Sequence, residues 1–211
     1  MRQQTVSTTK RKTSQEPVGT RQRLLDAARF LFWEQGYNGA SMADILGRAG
    51  ARSGSFYYFF ASKDALLEAV LNDYLAGFEA AVIRPVFATE QDPIERIFGI
   101  LAGYRERLLE TDCTYGCPIG RLALELKPAN SPAMALIRAN FDCWVNVIQR
   151  CLMEAGKKLP STTDRAALAR LVLTVMEGAV MQARVNRQID PFDASVSQLR
   201  EYFHCLQQYQ R

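Results

Sequence analysis

The chain has 211 residues, 48% of them apolar and 23% charged, with a net charge of +4. That balance is ordinary for a globular protein able to bury a core, as one large domain or two small ones. No run approaches the roughly 18 consecutive apolar residues of a membrane span, and the polar segment Met1 to Gly19 lacks the apolar stretch of a signal peptide. A soluble cytoplasmic protein is expected.

Charge is unevenly placed. Residues 1–66 carry ten Lys/Arg against five Asp/Glu, whereas residues 67–211 carry sixteen against seventeen. A basic head on a neutral body points to a polyanionic partner, with a solubilising tail as the alternative. The five cysteines, at 113, 117, 143, 151 and 205, are an odd number in a chain too long to need staples. Reduced thiols are the better reading. With no CxxC pair and His204 as the single histidine, no metal site is expected.

Residues 1–19, with Lys10, Arg11 and Lys12 at the centre, read as a disordered basic arm, either lying along DNA or merely a flexible leader. A helix then starts at Thr20 as N-cap and carries Leu24, Leu25, Ala28, Leu31 and Phe32 at spacings of 3 and 4 until Gly36 stops it. Ser41 caps a second helix, with Asp44 three residues on as a capping-box partner and Met42, Ile45, Leu46 and Ala49 facing inward. Gly50 makes a turn into a third helix, about 52–59, with Phe56, Phe59 and Phe60 as apolar bulk. A fourth runs from Ser62 to about Ile83, ending before Pro85. Helical segments follow at about 92–110, 118–127, 131–157, 163–187 and 193–208, separated by turn-like residues. The fold class is therefore all-α, with about nine helices and no strand.

Two short helices joined by a glycine turn, with a third packed across them, are the parts of a helix-turn-helix. Its reading helix must be held by apolar residues on one side and present small polar or aromatic groups on the other. Arg52, Ser53, Ser55, Tyr57 and Tyr58 supply that outer surface, and the small Ser53, Gly54 and Ser55 let the backbone approach base edges. Lys63, at the start of the fourth helix, is placed for phosphate oxygens, where the helix N-terminus adds partial positive charge. An unrelated aromatic core is the competing explanation for Tyr57, Tyr58 and Phe60.

The stretch Ala49 to Leu66, AGARSGSFYYFFASKDAL, closely resembles the signature of the tetracycline-repressor (TetR/AcrR) family, as do Gly36-Tyr37 and Ser41-Met42 before it. The resemblance covers about residues 20–67. It implies DNA contacts by Ser41, Ser53, Ser55, Tyr57, Tyr58 and Lys63, and a homodimer built on the last two helices of each subunit. Ala43 brings no polar group where some relatives read a base. The resemblance divides the chain into the arm (1–19), a DNA-binding domain (20–66) and a ligand-binding and dimerisation domain (67–211).

In that last region, Gly116 to Glu125, GCPIGRLALE, resembles the Gly-Cys-x-x-Gly-x-Leu-x-x-Glu segment of a TetR subgroup that includes sensors of reactive electrophiles and of flavonoid-like or other small organic molecules. In some of those sensors the cysteine itself is modified. Cys117 precedes a predicted helix N-terminus, which would lower its pKa; a small cysteine closing a tight turn is the alternative. Candidate pocket residues are Phe98, Leu101, Tyr104, Cys117, Phe141, Trp144, Val175, Met176 and Glu177, most of which must also serve the core. Glu177, inside the apolar run Leu171 to Met181, would orient a ligand atom, sit at a dimer surface or be a satisfied buried carboxylate. Leu199, Tyr202, Phe203 and Leu206 form a stripe suited to a partner helix, with His204 beside it. The expected function is a repressor that binds a palindromic operator as a homodimer and is released by a small organic effector. Binding between helices five to eight would swing the fourth helix. An enzyme is disfavoured: there is no Gly-rich phosphate loop, no HExxH and no base beside Cys117, and no cofactor is expected. A helical adaptor that binds only proteins is the third possibility.

Overall fold

A computed structural model describes residues 19–127 and 131–209; the basic arm, apart from Gly19, lies outside them. All regular structure in the described residues is helical. The order is α1 (Thr20–Gly39), α2 (Met42–Ala49), α3 (Ser53–Phe59), α4 (Lys63–Phe78), a π segment (Glu79–Ile83), α5 (Arg84–Thr89), α6 (Pro93–Leu109), α7 (Pro118–Glu125), α8 (Pro132–Glu154), a 3₁₀ turn (Gly156–Lys158), α9 (Arg165–Asn186) and α10 (Asp190–Gln208). Because α4, the π segment and α5 run end to end, the described chain forms nine helical rods.

The caps follow local chemistry. Ser41 and Asp44 form a reciprocal capping box on α2, Ser62 caps α4 through the Ala65 N–H, and Asp92 caps α6 through Ile94 and Glu95. Thr20 does not cap α1. Gly19 holds that position, and the Thr20 hydroxyl accepts from the Arg23 guanidinium instead. Gly36 does break the helical path of α1, with φ 80° and ψ 173°.

Pro85 does not end the fourth rod. Its ring cannot share space with the carbonyl four residues back, that of Ala81, and it has no N–H to donate there. The π turn absorbs the misfit, and the Arg107 guanidinium donates to the Ala81 carbonyl at 3.1 Å. The rod thus passes the proline and reaches Thr89.

Two large apolar clusters organise the molecule. One joins α6, α8, α9 and α10 through residues such as Ile97, Leu101, Ile148, Val172, Phe192 and Phe203. The other joins α1 to α4, yet also takes Ile119 and Leu122 from α7 and Ala133 and Ile137 from α8. Cys117 packs against both. Arg105 and Asp193, and Arg200 and Glu95, add two-pronged ion pairs between α6 and α10.

Helix α9 is long and apolar enough to cross a membrane by length and composition, with mean hydropathy 1.3 over 18 residues, a property the search for an unbroken apolar run did not register. One side of it serves the interior, where Leu168, Ala169, Val172, Met176, Ala179, Val180 and Ala183 are buried, while Leu171, Met181 and Val185 are exposed. The stripe expected to meet a partner helix is divided: Leu199 and Phe203 turn into this chain's own core, while Tyr202 and His204 are exposed.

Buried Asn140 ties α8 to α4, its amide donating to the carbonyls of Leu71 at 3.1 Å and Leu136 at 2.9 Å. Replacing it by leucine, Asn140→Leu, removes both bonds and is expected to cost about 1–3 kcal/mol, read as a lower urea midpoint at unchanged m-value.

Candidate DNA-binding face and effector cleft

The turn from α2 to α3 needs a left-handed residue, and Gly50 supplies it at φ 59°, with its N–H on the Gly47 and Leu46 carbonyls. Helix α3 leaves this turn with Phe56 buried and Phe60, just after it, packed against the same core at 5.8 Å between rings. The opposite side faces outward: Tyr57 is 64% and Tyr58 82% exposed. Arg52, Ser53 and Gly54 share this exposed surface, and Ser55 is half-buried. Phe59, expected to add apolar bulk, is instead 37% exposed and meets the Tyr58 ring edge-on at 4.8 Å. With Phe56 and Phe60 already filling the inner side of so short a helix, the third phenylalanine has no core position left.

Two expected contact residues are already engaged. The Ser41 hydroxyl accepts from the Asp44 N–H at 3.1 Å and donates to the Asp44 carboxylate at 2.5 Å. The half-buried Lys63 donates from its ammonium to the Tyr37 carbonyl and lies 4.3 Å from the centre of the Tyr37 ring. Burial depresses the Lys63 pKa, and the nearby Asp64 and Glu125 carboxylates oppose that shift. The Tyr37 hydroxyl donates to Asp64 at 2.5 Å, and burial together with that bond keeps its proton on well above the usual range. Lys63 therefore fastens the end of α1 to the start of α4.

That end of α1 is also gripped from the body. The Glu125 carboxylate of α7 accepts from the Asn38 N–H at 3.2 Å and from the Arg121 guanidinium at 3.0 Å. It sits so close to Gly36 that an added Cβ would fall 1.8 Å from one carboxylate oxygen. The Arg121 guanidinium donates further to the Glu34 carbonyl at 3.1 Å. The Trp33 indole donates to the Gly116 carbonyl at 2.7 Å, and Tyr115 donates to the Glu34 carboxylate at 3.1 Å. Ordinary spacing rules gave no sign of this α1–α7 junction, because its two halves lie about 85 residues apart in sequence.

Beside the junction, α7, α8 and α9 enclose a cleft of about 700 Å³, a size suited to a drug-sized molecule. Of the expected pocket residues, Cys117, Phe141 and Glu177 line it. Tyr104 lies within hydrogen-bonding reach of the Cys117 thiol. Phe98, Leu101 and Met176 are buried in the core of the body, with Val175 packed against it; Trp144 stacks between Phe78 and Tyr104. These residues do not line the cleft: helices α6, α8 and α9 turn them toward the core of the body. Arg170, Thr174, Glu177, Met181 and Arg184, at spacings of 4, 3, 4 and 3, form one wall from a single stripe of α9. That periodicity was present in the sequence; the contribution of Trp33 from α1 was not foreseeable from it.

Cys117 occupies the N-cap of α7, its sulfur accepting from the Gly120 N–H at 3.3 Å. The expected fall in its pKa does not occur. Burial, reinforced by the Glu177 carboxyl, outweighs the Gly120 and Tyr104 hydrogen bonds and pushes the thiol up to about 12. Burial likewise raises Glu177 above the usual carboxylate range.

Two measurements follow. Gly36→Ala places a side chain in a backbone region essentially reserved for glycine and drives it into Glu125, so a loss of about 1–3 kcal/mol or more is expected in thermal unfolding. In iodoacetamide labelling at pH 8 followed by peptide mapping, exposed Cys205 should react first and Cys117 only slowly, since so little of its thiol is ionised. Labelling of Cys117 as fast as Cys205 would contradict this assignment.

Comparison with known proteins agrees with this arrangement. Residues 24–70 match the family of bacterial regulatory proteins of the tetR type, and residues 93–198 match the C-terminal domain of LmrA/YxaF-like transcriptional regulators. The chain is 31% identical over 188 residues to an HTH-type transcriptional regulator of Mycobacterium tuberculosis, covering 86% of this chain and 93% of that one. It is 28% identical over 175 residues to the HTH-type transcriptional repressor DhaR of a Mycobacterium species, covering 82% and 86%. Among solved structures, CifR, a TetR-family regulator crystallised with a 26 bp operator DNA, superimposes with a TM-score of 0.74 at 24% identity, covering 88% and 98%. The chain, with a helix-turn-helix head joined to a helical body, belongs to the tetR family of bacterial transcriptional regulators.

Proposed function

We propose that this regulator is an effector-controlled repressor that binds a palindromic operator as a homodimer in the cytoplasm. The observation that carries the reading is α3: a short helix locked from behind by Phe56 and Phe60, with two large aromatic residues facing outward. Tyr57 and Tyr58 stay largely exposed despite their edge contacts with Phe56 and Phe59, and such a surface suits a DNA major groove. Residues 20–66 act as the head and 67–211 as the body. Arg52, Ser53, Gly54, Ser55, Tyr57 and Tyr58 meet the duplex. Ser41 meets it by its outer surface, its hydroxyl being engaged with Asp44. Lys63 reaches a phosphate with the donors that Tyr37 leaves unused.

Dimerisation through α9 and α10 is supported by the apolar residues exposed there outside the cleft, Leu171 and Tyr202. A two-fold dimer matches a two-fold operator, with half-sites about one helical turn or a multiple of it apart. The effector enters the cleft beside α7, a helix similar to the Gly-Cys-x-x-Gly-x-Leu-x-x-Glu segment of the sensor subgroup. It acts non-covalently, in keeping with a Cys117 thiol that holds its proton. Because Cys117, Gly120 and Arg121 line the cleft while Arg121 and Glu125 grip α1, a shift of α7 reaches the head directly. An effector releases DNA only if it favours the shifted state over the DNA-binding one. No reaction is assigned to the protein.

Gel-shift titration against the DNA upstream of the chain's own gene tests this reading. Arg52→Ala is expected to lower the salt slope of binding by about one. Tyr58→Ala is expected to lose about 1–3 kcal/mol of discrimination between operator variants. Absence of any salt-sensitive affinity for double-stranded DNA would overturn the reading.

A further inference from the structure

The wall that α9 gives to the cleft is a single stripe from Arg170 through Thr174, Glu177 and Met181 to Arg184. At 1.5 Å rise per residue its ends lie about 21 Å apart, with Glu177 about 10 Å along the helix axis from each arginine. Facing it are the apolar Trp33, Leu124, Phe141 and Val145, with the charged Arg121 and Asp142 also in the lining. Glu177 is thus an acid at the centre of a mostly apolar trough.

Although Arg121, Arg170 and Arg184 share the lining, no cation among the described residues is paired with it. None of the ion pairs among the described residues involves Glu177. Arg121, which also lines the cleft, is committed to the Glu125 carboxylate and the Glu34 carbonyl. The Glu177 carboxyl lies against the backbone of α7 at Gly120, where a Cβ would come within 2.6 Å of one oxygen. Cys117 lies beside it in the cleft lining. A carboxylate offers about four acceptor positions, and the neighbouring Cys117 thiol leaves most of them open. A part-buried acceptor with spare capacity in an apolar trough favours a donor and disfavours a second anion.

We propose that the cleft selects an apolar molecule that carries a hydrogen-bond-donating head, a hydroxyl, phenol or protonated amine, seated on Glu177, and that it rejects the matching carboxylate. This rests on the effector-controlled reading above and names the chemical class of the effector. Gly120 is then a specificity-determining position, since any side chain there would displace the Glu177 carboxyl from the trough.

The chain has two tryptophans, Trp33 in the cleft lining and Trp144 outside it, so Trp144→Phe leaves Trp33 as the reporter. The experiment titrates this full-length variant with biphenyl-4-ol, 4-phenylbenzylamine and biphenyl-4-carboxylate, and follows Trp33 emission. The phenol and the amine should bind at least tenfold more tightly than the carboxylate. Glu177→Gln should weaken the amine about tenfold while sparing the phenol, and Glu177→Leu should abolish the ranking. Equal affinities, a preference for the carboxylate, or no response to any of the three compounds overturns the proposal; the ranking in the Trp144→Phe background needs no change at Glu177. If the phenol saturates the cleft yet operator affinity stays unchanged, the effector-controlled reading fails while the chemistry of the cleft stands.

Discussion

Gly36 lacks a side chain, and the Glu125 carboxylate occupies the room that absence leaves. On this contact depends the relation between the two parts of the molecule. The backbone at Gly36 adopts a conformation that other residues avoid, which turns α1 out of its path and exposes the Asn38 N–H to the carboxylate. Tyr37, between them, is held by Lys63 through its carbonyl and by Asp64 through its hydroxyl. A carboxylate on α7, a bent α1 and the first turn of α4 thereby form one connected set of hydrogen bonds. Such a set has little slack, since breaking one member strands a partly buried polar group.

The consequence for mechanism is one of proximity. The helix that carries Glu125 also carries Gly120 and Arg121, which face the cleft, and Trp33 of α1 lines that cleft itself. The head is therefore part of the cleft wall and is not linked to it only through the long rod of α4. That rod passes Pro85 through a π turn, with Arg107 donating to the Ala81 carbonyl.

Cysteine 117 illustrates how burial decides chemistry that local sequence leaves open. Its place at a helix N-terminus favours the thiolate, and one N–H does reach its sulfur. Desolvation between the two apolar clusters, with the Glu177 carboxyl nearby, is the larger effect and leaves a neutral thiol. It acts as a packing and capping residue at the point where head and body meet.

The helical fold was readable from the chain because its signals are short-range. Apolar residues recur at 3 and 4, Ser41 with Asp44 and Ser62 cap their helices, and Gly50 makes its turn; each is settled within a few residues. The outward placement of Tyr57 and Tyr58 followed from Phe56 on the same short helix and Phe60 just after it facing inward. Tertiary structure decided what depends on residues far apart: the rod continuing past Pro85, the Glu125 grip on Gly36, the entry of Trp33 into the cleft, and Phe98, Leu101 and Met176 turning to the core. Periodicity names the inner face of a helix but not the helix that will cover it. The charge state of Cys117 and the isolation of Glu177 arise only when three helices close around them.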